Sequence, residues 1–132
     1  MTVEISILSQ GILSARVTGA SDDDDSQVIV DRLVDAARDG TAERALLDLS
    51  DQTSSTLNAA KARGVLSNLN SELAKAWGNH KESLSLAIAA PSTSFGYGIG
   101  RMISGHAYDL CRLQVEQFNS RNDALDWLQD AS

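Results

Sequence analysis

The chain has 132 residues, of which 42% are apolar and 5% aromatic, and it carries a formal charge of −7 at pH 7. This length suits a single domain, residues 1–132, with an aliphatic core, and the composition excludes a disordered chain, a collagen-like repeat and a disulfide scaffold. The acidic balance argues against binding to nucleic acid or to an anionic membrane surface, because both require a basic footprint.

The start of the chain predicts a protein that stays in the cytoplasm. Its first ten residues alternate in polarity, contain Glu4 and have no basic residue, so we expect no secretory signal. No apolar run approaches the ~20 residues that a membrane-spanning helix needs. Cys111 is the only cysteine, which excludes an intramolecular disulfide, and its apolar neighbours predict a small buried side chain.

The first third of the chain predicts a β-hairpin followed by a helix. Apolar and polar residues alternate over 3–8 and 11–18, which indicates two strands closed near Ser9–Gly11. After a polar break, apolar residues recur at helical spacing and predict a helix over 25–39. Gly40 follows, at the position where a helix end favours a residue that adopts positive φ.

The middle of the chain predicts a central strand and a long helix. Residues 44–49 form a nearly continuous apolar run, which is typical of a strand covered on both faces. A hydroxyl-rich loop is expected over 50–56, and an apolar stripe predicts a helix over 57–77. A fourth strand is expected over 83–90, ended by the only proline, Pro91.

The last third predicts helix, strand and helix. Residues 95–108 are rich in glycine but keep apolar residues in helical register, and alternation over 113–117 predicts a fifth strand. Ser120 offers an N-cap to a closing helix whose apolar face contains Ala124 and Leu128. The element order is therefore ββαβαβαβα, which predicts one α/β domain with a sheet and helices packed against it.

The acidic run Asp22–Asp25 has two interpretations. A calcium loop would need glycine at its sixth position and glutamate at its twelfth, and these positions hold Gln27 and Leu33. We therefore interpret the run as an acidic cap on the first helix, where the helix dipole favours negative charge. No His or Cys residues stand at metal-ligand spacing, so we expect neither a metal nor another cofactor.

A glycine-rich segment follows the fourth strand and opens the next helix. Its spacing fits neither a dinucleotide-binding fingerprint nor a P-loop. Backbone amides at the helix start, with an arginine nearby, would suit an anion or another small ligand. The alternative is that the glycines allow close packing between helix and sheet. The candidate ligand-binding residues are Phe95, Gly96, Tyr97, Gly98, Gly100 and Arg101.

The hydroxyl-rich segment also has two interpretations. Its Ser and Thr side chains can cap the long helix by accepting backbone N–H bonds. Alternatively, Ser54, Ser55 or Thr56 is a phosphoacceptor whose added charge would switch an interface. The sequence lacks a G-x-S-x-G motif, and its histidines have no Asp or Cys partner at a recognised spacing, so we expect no enzymatic activity.

Three segments together resemble the STAS superfamily, and in particular the SpoIIAA-like, STAS/CRAL-TRIO-related bacterial proteins. The first is ILSARVTG over 12–19, followed by an acidic turn and a helix. The second is ALLDLS over 45–50, with its hydroxyl-rich sequel. The third is VEQFNSRNDALDWL over 115–128, with a strand, a Phe and an Ala-Leu-x-Trp-Leu close.

The resemblance implies a mixed sheet of four or five strands with helices mainly on one face. It implies a non-enzymatic regulatory module that binds a protein partner and self-associates as a homodimer. The alternative it leaves open is a sensor or lipid-carrier-like domain for a small apolar or anionic ligand. In the anti-sigma factor antagonists of this superfamily a serine after the third strand is phosphorylated, and by position that role falls on Ser54, Ser55 or Thr56.

Overall fold

The helices and strands follow the predicted order. The computed structural model describes residues 2–8, 11–78, 83–108, 110 and 112–130. The strands are β1 Thr2–Leu8, β2 Ile12–Ser21, β3 Arg44–Ser55, β4 Leu84–Ala89 and β5 Leu113–Phe118. The helices are α1 Asp23–Asp39, α2 Ala59–Trp77, α3 Phe95–Ala107 and α4 Arg121–Asp130.

The five strands form one sheet in which neighbouring strands are also consecutive in the sequence, in the order β1-β2-β3-β4-β5. β1 pairs antiparallel with β2, as a hairpin does, and the other three pairings are parallel. α1, α2 and α3 connect successive parallel strands in the same direction across the sheet. Because such crossovers share one hand, the three helices lie on the same face. This single α/β domain confirms the predicted fold class.

The core has two parts, one on each face of the sheet. The larger part lies under α1, α2 and α3, where the first helix contributes Leu33 and the second contributes Leu69 and Leu73. The smaller part lies under α4, which buries Ala124 and Leu128 completely. The central strands are therefore covered on both faces, as their continuous apolar runs predict.

α1 ends where the sequence predicts and has the predicted acidic cap, but it begins at Asp23, two residues before the predicted start. Gly40 ends the helix with φ 74°, in the left-handed region, and its N–H bonds to carbonyls of the last turn. Asp22 is the N-cap: its side chain accepts from Asp25 N at 3.0 Å, and the Asp25 carboxylate accepts from Asp22 N at 2.8 Å. This reciprocal pair is a capping box. The acidic run is thus used to start a helix.

The predicted loop over 50–56 is wrong, because β3 continues to Ser55. Pairing with β4 ends where Asp48 faces Ala89, whereas pairing with β2 continues to Ser21 and Ser55. The end of β3 therefore projects past β4. Half of the side chains over 50–55 are exposed, and the polar residues that suit this environment make a real strand resemble a loop.

Two expectations fall outside the described residues: the environment of Cys111 and the hairpin turn at Ser9 and Gln10. Within the described ranges, every helix is too short or too polar to cross a membrane.

Candidate functional site

The carboxyl ends of the parallel strands meet at one edge of the sheet, which we call the carboxyl edge. It consists of the end of β3 from Ser50 to Ser55 and the starts of α1, α2 and α3. In open α/β sheets ligands bind outside the carboxyl ends of the strands. The candidates Ser54, Ser55 and Phe95 lie at this edge, whereas Gly100 and Arg101 lie further along α3.

The three candidate phosphoacceptors occupy different environments at this edge. Ser54 is exposed near the end of β3. The Ser55 hydroxyl accepts a hydrogen bond from Leu57 N at 3.0 Å, and the Thr56 hydroxyl donates to Asp23 Oδ1 at 2.8 Å. None of these hydroxyls caps α2. Its N-cap is Asn58, which accepts from Lys61 N at 2.9 Å, so the predicted capping role is wrong.

Asp23 joins the starts of α1 and α2. Its carboxylate accepts from Thr56 and lies 3.1 Å from Lys61 Nζ. The hydrogen bond from Thr56 lowers the pKa of Asp23 below its ordinary value, and the contact with Lys61 lowers it further. Because the folded-state pKa is depressed, the small stabilisation it brings is present above the ordinary pKa and is lost as the pH falls through the folded-state value.

The carboxyl edge is acidic and bears no described metal site. Asp22, Asp23, Asp24 and Asp51 are all exposed there. Within the described ranges, no three His, Cys, Asp or Glu residues are grouped so that they would hold a metal ion.

Two of the glycines in α3 are required by close packing against the sheet. A Cβ on Gly96 would lie 2.1 Å from the carbonyl oxygen of Leu49, and one on Gly100 would lie 2.9 Å from Ile88 Cγ2. Gln117 of β5 links the sheet to α3, because its Nε2 donates to Tyr97 O at 2.7 Å.

The remaining candidate ligand-binding residues are spread around α3. Gly98 has no neighbour within 4 Å of an added Cβ. Arg101 is exposed, Tyr97 is half-buried, and Phe95 is 44% exposed at the carboxyl edge. Packing thus accounts for Gly96 and Gly100, and the ligand site expected here stays a prediction.

The opposite face of the sheet carries a polar recess beside the start of α4. Arg121 reaches Asp48 Oδ2 and the Ser14 hydroxyl, both at 3.4 Å. Arg16 forms an ion pair with Asp51, and the hydrogen bond in that pair raises the pKa of Arg16. The recess has a volume of about 310 Å³, but its two arginines are already matched by carboxylates.

Sequence reasoning missed Gln52, a buried polar residue in β3. A register shift places two β3 residues, Leu49 and Ser50, opposite the single residue Val17 of β2. This extra residue turns Gln52 toward the helices and leaves Asp51 on the opposite face. Strict alternation from Leu47 and Leu49 would instead point Asp51 inward, so no sequence signal identifies Gln52.

Gln52 borders the interior of the larger core. It is 6% exposed and lines a cavity of about 50 Å³ under α1 and α3. A neighbouring cavity of about 80 Å³ lies between α1, α2 and the sheet. Five residues line both cavities: Ser26, Ile29, Leu47, Leu57 and Ile103.

Solved structures share this architecture. Unphosphorylated SpoIIAA, an anti-sigma factor antagonist, superposes with a TM-score of 0.61 at 12% identity, over 97% of this chain and 98% of that one. The phosphorylated form of SpoIIAA, a Bacillus cell fate determinant, gives 0.58 at 12% identity, over 96% and 98%. An uncharacterized DUF3478-family protein from Shewanella loihica PV-4 with a SpoIIAA-like fold gives 0.51 at 19% identity, over 96% and 92%.

The sequence matches no protein-family model and no curated protein. At these low identities the structural likeness defines the fold. The chain has the STAS-type, SpoIIAA-like fold, which confirms what its sequence resemblance predicts.

Proposed function

We propose that this protein is a non-enzymatic, cytoplasmic regulatory module that binds a protein partner at the carboxyl edge. The observation that carries the proposal is the projecting end of β3, which pairs with β2 alone past Asp48 and presents Thr53 and Ser54 to solvent. The shared fold with SpoIIAA, an anti-sigma factor antagonist, supports a regulatory role of this kind.

The charge of the edge indicates the chemistry of the partner. Asp22 and Asp24 are exposed at this edge, and the whole chain is acidic. A partner with a basic surface would gain from complementary potential in both association rate and specificity. Phe95, at the start of α3, is 44% exposed at the same edge and offers an apolar anchor.

The test is affinity capture from the source organism with matched arginine variants. Ser54→Arg introduces bulk and positive charge in the proposed interface, whereas Ser71→Arg makes the same change on the exposed side of α2. Like charges placed together at an interface cost several kcal/mol, so we expect Ser54→Arg to weaken binding by about a hundredfold or more. Ser71→Arg should bind as the wild type does.

Equal binding by both variants would overturn the proposed location. A regulatory partner should also bind more weakly as ionic strength rises, because the acidic groups are exposed and screened. Light scattering of the isolated protein tests separately whether the chain forms a homodimer, which would not place a basic surface against this acidic edge.

Among the candidate phosphoacceptors, we propose Ser54 as the modified residue. Its hydroxyl is exposed, whereas that of Ser55 accepts from a backbone N–H. A phosphate on Thr56 would displace the bond to Asp23 and meet the neighbouring carboxylates. Phosphopeptide mapping of protein isolated from the source organism should place phosphate on Ser54. Phosphate on Thr56 instead would contradict this assignment.

A further inference from the structure

The two cavities on the helix-covered face form an apolar site with one polar end. Aliphatic side chains make the wall of the 80 Å³ cavity, and Ser26 is the only polar residue in it among those described. The adjoining 50 Å³ cavity extends toward the carboxyl edge, where Gln52, Ser21 and Asp25 add polar groups. A molecule that spans both would meet hydrocarbon along most of its length and an amide at one end.

The amide of Gln52 has an unused hydrogen-bonding position at that end. Its Nε2 donates to the Ser21 hydroxyl at 2.7 Å. Its Oε1 is fully buried and has no hydrogen-bond partner among the described residues. A buried acceptor that is left unsatisfied destabilises the folded state, so such groups in folded proteins usually have a partner, including a ligand or a water.

We propose that these cavities bind a small neutral alcohol, aliphatic or aromatic, whose hydroxyl donates to Gln52 Oε1 and whose hydrocarbon part fills the space between α1 and α2. The apolar wall selects against an anion, and Asp25 at the polar end repels one. A cation is disfavoured because it would lose its hydration in a site of this size. The Asp25 carboxylate already accepts from Asp22 N.

The volume limits the ligand to a few heavy atoms. A dry apolar cavity of roughly 150 Å³ holds benzene, and the two cavities together offer nearly that space. Phenol is therefore a suitable probe. Water is the competing occupant of the polar end, because one molecule needs only about 10–15 Å³. Water would satisfy Gln52 but would leave the apolar cavity empty.

The experiment is a methyl NMR titration with phenol and with toluene, which has nearly the same shape but no hydroxyl. We expect phenol to shift the methyl signals of Leu66 and Ile103, which line the larger cavity, and to bind more tightly than toluene. Gln52→Met keeps an unbranched side chain but removes the amide, so phenol affinity should fall about tenfold while toluene affinity is retained. Gln27→Met is the matched control on the exposed side of α1 and should bind both probes as the wild type does.

Ala62→Met fills the larger cavity and should abolish the binding of both probes. If Ala62→Met does not fold, Ile29→Phe serves instead, because Ile29 lines both cavities and a larger side chain there reduces their volume. Equal affinities for phenol and toluene, or an unchanged phenol affinity in Gln52→Met, would overturn the role of Gln52. Failure of folded wild-type protein to bind either probe, or binding that persists in the filled variants, would overturn the site.

Discussion

Trp77 shows how one residue joins two helices. It is the last residue of α2 and is 6% exposed. Its indole Nε1–H donates to Ala37 O at 3.1 Å, which ties the end of α2 to the last turn of α1. The two residues are far apart in the sequence. The indole N–H thus has a hydrogen-bond partner while the ring packs in the larger part of the core. Trp127, in contrast, is half-buried and packs on Phe118 with ring centroids 5.7 Å apart.

Truncating the two tryptophans should therefore have unequal effects. We expect Trp77→Ala to lower the free energy of unfolding by about 3–5 kcal/mol, because it removes a buried ring and opens a cavity. Trp127→Ala should cost about half as much or less, since part of its ring already contacts water. Urea unfolding followed by circular dichroism measures both. A larger loss for Trp127→Ala would show that α4, not α2, carries the tighter packing.

At the scale of elements, α3 lies unusually close to the sheet. Gly96 and Gly100 face Leu49 and Ile88, where the space between backbone and strand excludes a side chain. Gly98 lies on the outer side of the same helix. Glycine is therefore required on the side of α3 that packs against the sheet, whereas the outer side of the helix has room for a side chain.

Matched alanine variants separate these faces. Gly96→Ala should destabilise the protein by about 1–3 kcal/mol or more, because its Cβ would overlap the Leu49 backbone and α3 must shift outward. Gly98→Ala should stabilise it by up to about 1 kcal/mol, through the higher helix propensity of alanine. Thermal unfolding of both variants measures the difference. Stabilisation by both would contradict the close approach of α3 to β3.

The end of β3 is the element that sequence reasoning misassigned. Serine and aspartate make up most of residues 50–56 and are typical of turns, so the segment resembles a loop. The hydrogen bonds that make this segment a strand come from β2, which is separated from it by the whole of α1. Pairing between distant segments leaves little local signal, and the extra β3 residue opposite Val17 reverses the faces that simple alternation predicts.

At the scale of the whole molecule, neighbouring strands and helices cover the central strands more completely than they cover β1 at the edge of the sheet. β3 and β4 have a strand on each side over 44–48 and 85–89, with α1–α3 on one face and α4 on the other. β1 pairs only with β2, and several of its side chains are exposed. The central strands should therefore open only in global unfolding, whereas β1 opens locally.

Native-state hydrogen exchange measures this order. Paired amides of 45–48 and 86–88 should exchange at least about tenfold more slowly than those of β1, since local opening exposes an edge strand more easily than a central one. Exchange of β1 as slow as that of β3 would show that something covers the edge in solution. A second copy of the chain paired along β1 would produce that result.

Resemblance to known proteins predicted the SpoIIAA-like fold. The sequence by itself determined the element order, the hairpin, the end of α1 at Gly40 and the two-sided burial of the central strands. These features depend on periodicity, caps and turns, which act between residues close along the chain. Only the tertiary structure decided that β3 projects beyond β4, that Gly96 touches Leu49, and that Gln52 faces a cavity. Each of these depends on the register between strands or on the distance between packed elements, and neither quantity is encoded in the local pattern of residues.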